Sequence, residues 1–269
     1  MLQDDFNDRK AEIESYIQLL EHIEATMREG SVVLNVRGEK KASPEHDGQE
    51  SGYSITPTQQ KIMYSCLYLQ LYNLVESTVI GCITRLETTI REERIEDWLK
   101  LLPCLRRELV RAWAKQNANG ADDNRVRSIE MLINSIIQSG KMGFFSLDKK
   151  RNGGNWDDKE IETLIKGIGM NLSFDKPLYR SAKKHIDTGI IPRYNNCGGL
   201  ELIKKFRNEL AHGEVSFVQC GERLDLVQLK ELSQIVFDYL QAVINHFTSF
   251  IINKEYLLTC TSGISHNNQ

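Results

Sequence analysis

TPTQQKIMYSCLYLQLYNLVESTVIGCI, residues 56–83, is the stretch whose reading decides the fold. Thr56 offers a hydroxyl that can cap a helix, and Pro57 follows at the first helical position, where its missing N–H leaves no bond unmade. Leu67, Leu71, Leu74, Val75, Val79 and Cys82 then recur mostly three and four residues apart and share one broad stripe. Gln70, Asn73, Glu76 and Ser77 fall on the other side. The spacing predicts one long helix reaching Arg94. Cys66 to Ile83 is the most apolar window of the chain, yet Gln70, Asn73 and Glu76 interrupt it. Three such groups at bilayer depth would be costly, so the window reads as a core helix and not as a membrane span.

Working outward, residues 3–28 carry Phe6, Ile13, Tyr16, Ile17, Leu20, Ile23 and Met27 with the same periodicity, and Gly30 ends that helix. Val32–Val36 suits a short strand, and residues 38–56 are a polar, turn-rich loop. Beyond the long helix, Pro103 separates helical stretches at 95–102 and 104–116. Residues 125–138 form a helix through Val126, Ile129, Leu132, Ile133 and Ile136. A short helix runs from Asp157-Asp158 to Gly169, and another opens at Gly198-Gly199 and ends at Gly213. Asp225 caps a last long helix over 226–253, and the tail TSGISHNNQ is frayed. The fold class is all-α: a helical bundle of three or four long helices with irregular insertions, read as a single domain over 1–269. Its core bundle is 57–116 and 198–253, with a helical and basic insertion at 117–197.

Composition narrows the function. The chain has 269 residues, 34 Lys and Arg against 37 Asp and Glu, and a net charge of −3, which excludes a globally basic nucleic-acid binder. Residues 141–193 reverse that sign, with eleven Lys and Arg against seven Asp and Glu. Lys149, Lys150, Arg151, Lys183 and Lys184 are the candidates there for a basic patch that contacts phosphate; a solvated loop is the equally weighted alternative. The six cysteines are scattered with no CxxC or CxxH pair, which argues against a close-spaced zinc site and a disulfide framework. The N-terminus lacks the apolar run of a secretory signal. The expectation is a cytoplasmic protein that needs no metal or other cofactor.

The chemistry concentrates in GGLELIKKFRNELAHGEVSF, residues 198–217. Leu202, Ile203, Phe206 and Leu210 share one helix face and anchor it. Arg207, Asn208 and His212 lie outside that stripe near the helix end. A histidine exchanges a proton near neutral pH, and an arginine offers a planar fork of donors that matches phosphate. Cleavage of RNA by its own 2′-hydroxyl needs that pair: a base for the hydroxyl and a cation for the charge on phosphorus. The same residues also suit an ordinary helix C-terminus, with His212 against the dipole and Gly213 in the left-handed position. Glu209 reads as a surface residue and His246 as a satisfied helix histidine. Trp98, Trp113 and Trp156 read as core or hinge aromatics.

Arg207-Asn208-Glu209-Leu210-Ala211-His212 resembles the R-[polar]-x-x-x-H signature of the HEPN superfamily of helical ribonucleases. The longer string RNELAHGEVSFVQCGERLDLVQL, with YNLVESTV from residue 72, resembles the MAE-type HEPN-like nucleases of toxin–antitoxin and phage-defence loci. The resemblance spans about 57–251. It implies a homodimer in which two such motifs meet in one cleft. It further implies a general acid/base role for His212, a phosphate contact for Arg207, an orienting role for Asn208, and products ending in a 2′,3′-cyclic phosphate and a 5′-hydroxyl. Asn73 and Glu76, a turn apart on the long helix, are candidates to support that site, with a solvated or interface-facing stripe as the other reading. The expected partners are RNA, a second copy of the chain, and an antitoxin or defence-system protein, with no membrane. Two functions follow from different classes: a metal-independent endoribonuclease acting as a toxin or antiviral effector, and a non-catalytic HEPN binding module or antitoxin-like partner.

Overall fold

A computed structural model describes residues 2–30, 33–34, 53–93, 98–116, 124, 126–127, 129–131, 133–134, 146–149, 154–170 and 198–258. Its elements are α1 (Leu2–Glu29), a two-residue pair β1 (Val33–Leu34) and β2 (Tyr53–Ser54), α2 (Pro57–Glu92), a 3-10 turn at Trp98–Lys100, α3 (Pro103–Gln116), α4 (Asp158–Ile168), α5 (Gly199–Ala211), α6 (Phe217–Gly221) and α7 (Leu226–Ile252). Apart from that antiparallel pair, in which Val33 faces Ser54 and Leu34 faces Tyr53, and an isolated antiparallel bridge between Leu101 and Leu257, the described secondary structure is helical. The helix read at 125–138 is helical at its described residues, where Val126, Ile129 and Ile133 are exposed. The stretch read as a helix over 95–102 holds only the 3-10 turn among the described residues.

Helix boundaries fall where side chains satisfy the first amides. The Gln59 amide donates to Thr56 Oγ1 at 3.3 Å while Gln59 Oε1 accepts from the Thr56 amide at 2.9 Å, a reciprocal cap for α2. Asp225 and Gln228 repeat the arrangement for α7 at 2.8 and 3.0 Å. Asp157 accepts from the Glu160 amide and opens α4, which Gly169 closes in the left-handed conformation (φ 88°).

The chain divides into two compact units, and two of the divisions fall inside long helices, after Val75 in α2 and after Asp238 in α7. In the first unit, Phe6, Ile13, Ile17, Leu20 and Ile23 of α1 are buried. So are Leu67, Tyr68, Leu71 and Tyr72 of α2, Leu202, Ile203 and Phe206 of α5, and Leu229, Leu232 and Val236 of α7. Polar ties reinforce the packing: the Tyr16 hydroxyl donates to Met63 O at 2.9 Å, and the Tyr64 hydroxyl donates to Glu24 at 2.8 Å. In the second unit Val79, Cys82, Ile83 and Leu86 of α2, Trp156, Ile161 and Ile165 of α4 and its approach, and Leu240, Val243 and Phe247 of α7 are buried. There α3 packs on α4. Both α2 and α7 are apolar and long enough to cross a bilayer by length and composition. In this structure 56% and 44% of their most apolar windows are buried inside the protein, as in the core helices of a bundle.

Candidate active site

Helix α5 places the motif. Its N-terminal residue Gly199 lies so near α7 that a Cβ there would come within 3.0 Å of Ile235 Cγ2. Leu200, Leu202, Ile203, Phe206 and Leu210 then bury one face. At the other end the chain closes in a double hydrogen-bonded turn: the Gly213 amide donates to Leu210 O at 3.2 Å and the Glu214 amide to Glu209 O at 2.9 Å, with Gly213 at φ 70°. His212 is therefore the C-cap, its amide bonded to Asn208 O at 2.9 Å. Its imidazole is exposed, and among the described residues no hydrogen bond holds it.

Arg207 and Asn208 are half-buried and joined side chain to side chain: Arg207 Nη1 donates to Asn208 Oδ1 at 2.7 Å. A guanidinium carries only donors, so the amide must turn its oxygen toward it. The Arg207 Cζ stands 4.1 Å from the centroid of the Tyr72 ring, within the range of a cation–π contact. Tyr72 itself is 1% exposed. One turn earlier on α2, Tyr68 meets Phe206 edge-on at 4.9 Å. The seam between α2 and α5 thus carries Phe206 on Tyr68 and Arg207 on Tyr72.

Glu209, read from the sequence as a surface residue, is a correction. Its side chain is only 16% exposed and pairs with Arg223, with Lys205 at 4.0 Å on its other oxygen. The Arg223 guanidinium lies 4.7 Å from the Phe206 ring centroid. Glu209 and Arg223 therefore tie α5 to the chain beyond α6. Helix α6 was not read from the sequence, although its signal was there: Ser216 and Gln219 form a reciprocal cap. It packs against α2 so closely that a Cβ on Gly221 would lie 1.9 Å from Lys61 O. Burial pushes the nearby Cys220 thiol up, against the smaller pull of Arg223 and Ser65.

The remaining expected residues are placed as follows. Asn73 is exposed on α2 in the first unit, next to Tyr72. Glu76 belongs to the second unit, where its Oε1 would stand 3.4 Å from a Cβ built on Gly154. Lys149 Nζ is 2.7 Å from Glu87 Oε2, a carboxylate that is 5% exposed and also accepts from the Leu147 amide at 2.6 Å. Lys150, Arg151, Lys183 and Lys184 lie outside the described residues. His246 Nδ1 lies 2.8 Å from Ala242 O, the satisfied helix histidine expected. Trp156 is fully buried.

A helical chain that carries Arg, a polar residue and a helix-terminal His in this register has the architecture of a HEPN protein. The HEPN_MAE_28990-like HEPN family matches residues 1–256, and the chain belongs to it. No curated protein and no solved structure matches the chain. The family points to a nuclease-like or nucleotide-related role, since HEPN domains are often ribonucleases.

Proposed function

We propose that the protein is an endoribonuclease that uses no metal and cleaves RNA through the ribose 2′-hydroxyl. The observation that carries the proposal is the geometry of α5: a guanidinium braced by Tyr72 and Asn208 one turn before a solvent-facing histidine at the helix end. In this reaction His212 removes the 2′-hydroxyl proton, and the 2′-oxygen attacks the adjacent phosphorus. Arg207 binds the charge that builds on the phosphoryl oxygens. The bond to the 5′-oxygen breaks and that oxygen takes a proton from a second acid. One strand ends in a 2′,3′-cyclic phosphate and the other in a 5′-hydroxyl. The second acid is His212 of another copy, so the working unit is a homodimer with one shared cleft, bordered by the polar side of α2 at Gln70 and Asn73. Lys149, Lys150, Arg151, Lys183 and Lys184 help to hold RNA. The biological setting is that of a cytoplasmic toxin or antiviral effector restrained by a partner protein.

The test is to incubate purified chain and its His212→Ala variant with RNA and to map the ends. Cyclic-phosphate and 5′-hydroxyl ends from the unaltered chain alone support the proposal. RNA or partner binding without cleavage by either protein would instead identify a non-catalytic HEPN module.

A further inference from the structure

We infer that Tyr72 is a positioning residue for Arg207: its buried ring face and the Asn208 carbonyl together form a cradle that fixes the guanidinium before RNA arrives. The inference rests on the ribonuclease reading and adds to it a residue from a different helix. Two constraints meet at one planar group. The Tyr72 ring lies beneath Arg207 Cζ at 4.1 Å, and Asn208 Oδ1 accepts from Nη1 at 2.7 Å. The ring sets where the guanidinium stands, and the edge bond to Asn208 restrains its rotation. Tyr72 cannot drift, because it is 1% exposed and lies one turn from Tyr68, which is locked against Phe206. The next carboxylate along α5, Glu209, is engaged by Arg223 and Lys205.

A flexible arginine gives up rotamer freedom each time it binds phosphate, whereas a cradled one has given it up on folding. The benefit is largest where charge develops only in the transition state, because a donor already in place need not reorganise. A lysine could supply the charge but not the plane that the ring and the amide oxygen grip. The two segments that carry the family resemblance, YNLVES on α2 and RNELAH on α5, meet at this contact.

The experiment compares Tyr72→Leu, Tyr72→Phe, Arg207→Lys and the Tyr72→Leu/Arg207→Lys double variant, with circular dichroism to confirm that each folds. Tyr72→Phe keeps the ring and should cleave RNA within about twofold of the parent, while Tyr72→Leu should lose roughly 3- to 30-fold in kcat/KM, most of it in kcat. The double variant should be no worse than Arg207→Lys alone, because the ring acts through the guanidinium; additive losses would show an ordinary packing role and overturn the inference. In the ligand-free protein, side-chain NMR signals of Arg207, assigned by their absence in Arg207→Lys, should be shifted by the ring current in the parent and Tyr72→Phe and not in Tyr72→Leu. Signals indifferent to Tyr72→Leu would also overturn it. If Tyr72→Leu does not fold, Arg207→Lys carries the test, and a full rate in that variant refutes the cradle. If the unaltered chain cleaves no RNA, the ribonuclease reading falls, and the cradle is judged by affinity for a 2′-O-methyl oligonucleotide. Tyr72→Leu and Arg207→Ala should weaken that affinity by similar factors, and no change in either sinks the inference separately.

Discussion

His212 has its backbone fixed by the turn that ends α5 and its imidazole in solvent, whereas the Arg207 guanidinium rests on the Tyr72 ring. The two residues can therefore be removed at different structural cost. His212→Ala takes away no buried contact and should shift unfolding by no more than about 0.5 kcal/mol, the usual range for an exposed substitution. Arg207→Ala uncovers an aromatic face and should cost about 1 kcal/mol. In catalysis the order is different: both should fall by roughly 10²- to 10⁴-fold, since loss of a general base or of a charge-stabilising donor is of that size. Urea titration and RNA cleavage measured side by side check the contrast. A His212→Ala protein that is folded and still active would remove the histidine from the chemistry. Chelation should leave the parent rate unchanged, and inhibition by EDTA reversed by a divalent ion would rule out a reaction run by side chains alone. At this scale the sequence could single out Arg207, Asn208 and His212 as a candidate group because they lie within one and a half turns of a single helix. It passed over Tyr72, which is 135 positions from Arg207 in the chain and carries no local sign of what lies across the seam. It misread Glu209 for the same reason, since Arg223 comes from beyond α6.

The helices themselves show how far local rules extend. The starts of α2, α4 and α7 were legible at Thr56, Asp157 and Asp225, because a cap is a contract among four neighbouring residues. Helix α6 is only five residues long, too short to show a periodicity, and only its cap could have exposed it. What holds α6 in place is a tertiary approach: Gly221 permits the chain to pass against the Lys61 carbonyl. A methyl group at Gly221 would overlap backbone rather than a side chain, so neither partner can yield cheaply. Gly221→Ala should destabilise the protein by about 2–4 kcal/mol, at or beyond the upper end of overpacking costs. Gly199→Ala meets a side-chain methyl of Ile235 at 3.0 Å and should cost less. Urea midpoints of the two variants test the ranking, and equal midpoints would argue against the close approach. The tie between α1 and α2 makes a separate prediction. Burial pushes the Tyr16 hydroxyl up to about 12, with the Cys66 thiol adding to it. A raised value favours the neutral form in the folded protein, so its contribution is complete below about pH 10 and is lost as pH rises toward 12. Stability should therefore decline between those values. Tyr16→Phe should flatten the decline while lowering stability at neutral pH, because the bond to Met63 O is gone.

For the whole molecule the unresolved chemical requirement is a second proton. In the proposed cleavage one Arg207 and one His212 would supply a clamp and a base, but expulsion of the 5′-oxygen would also need an acid, and α5 offers a single histidine at its end. A two-fold axis close to that helix end would provide it, because an isologous interface brings the same exposed His212 from both sides. The chain should therefore scatter light as a particle of about twice 30.9 kDa. Mixing offers a sharper measure. Arg207→Ala dimers keep two histidines and no arginine, and His212→Ala dimers keep two arginines and no histidine. Each should be nearly inactive alone. After subunit exchange the heterodimer has one intact arginine and one intact histidine in a shared cleft. Cleavage should then rise above either parent and stay below the unaltered protein, which has both an acid and a base. Dilution should abolish activity along with the dimer. A monomer that cleaves RNA at full rate at nanomolar concentration would refute the shared site, and would require that a group other than the second His212 protonate the leaving oxygen.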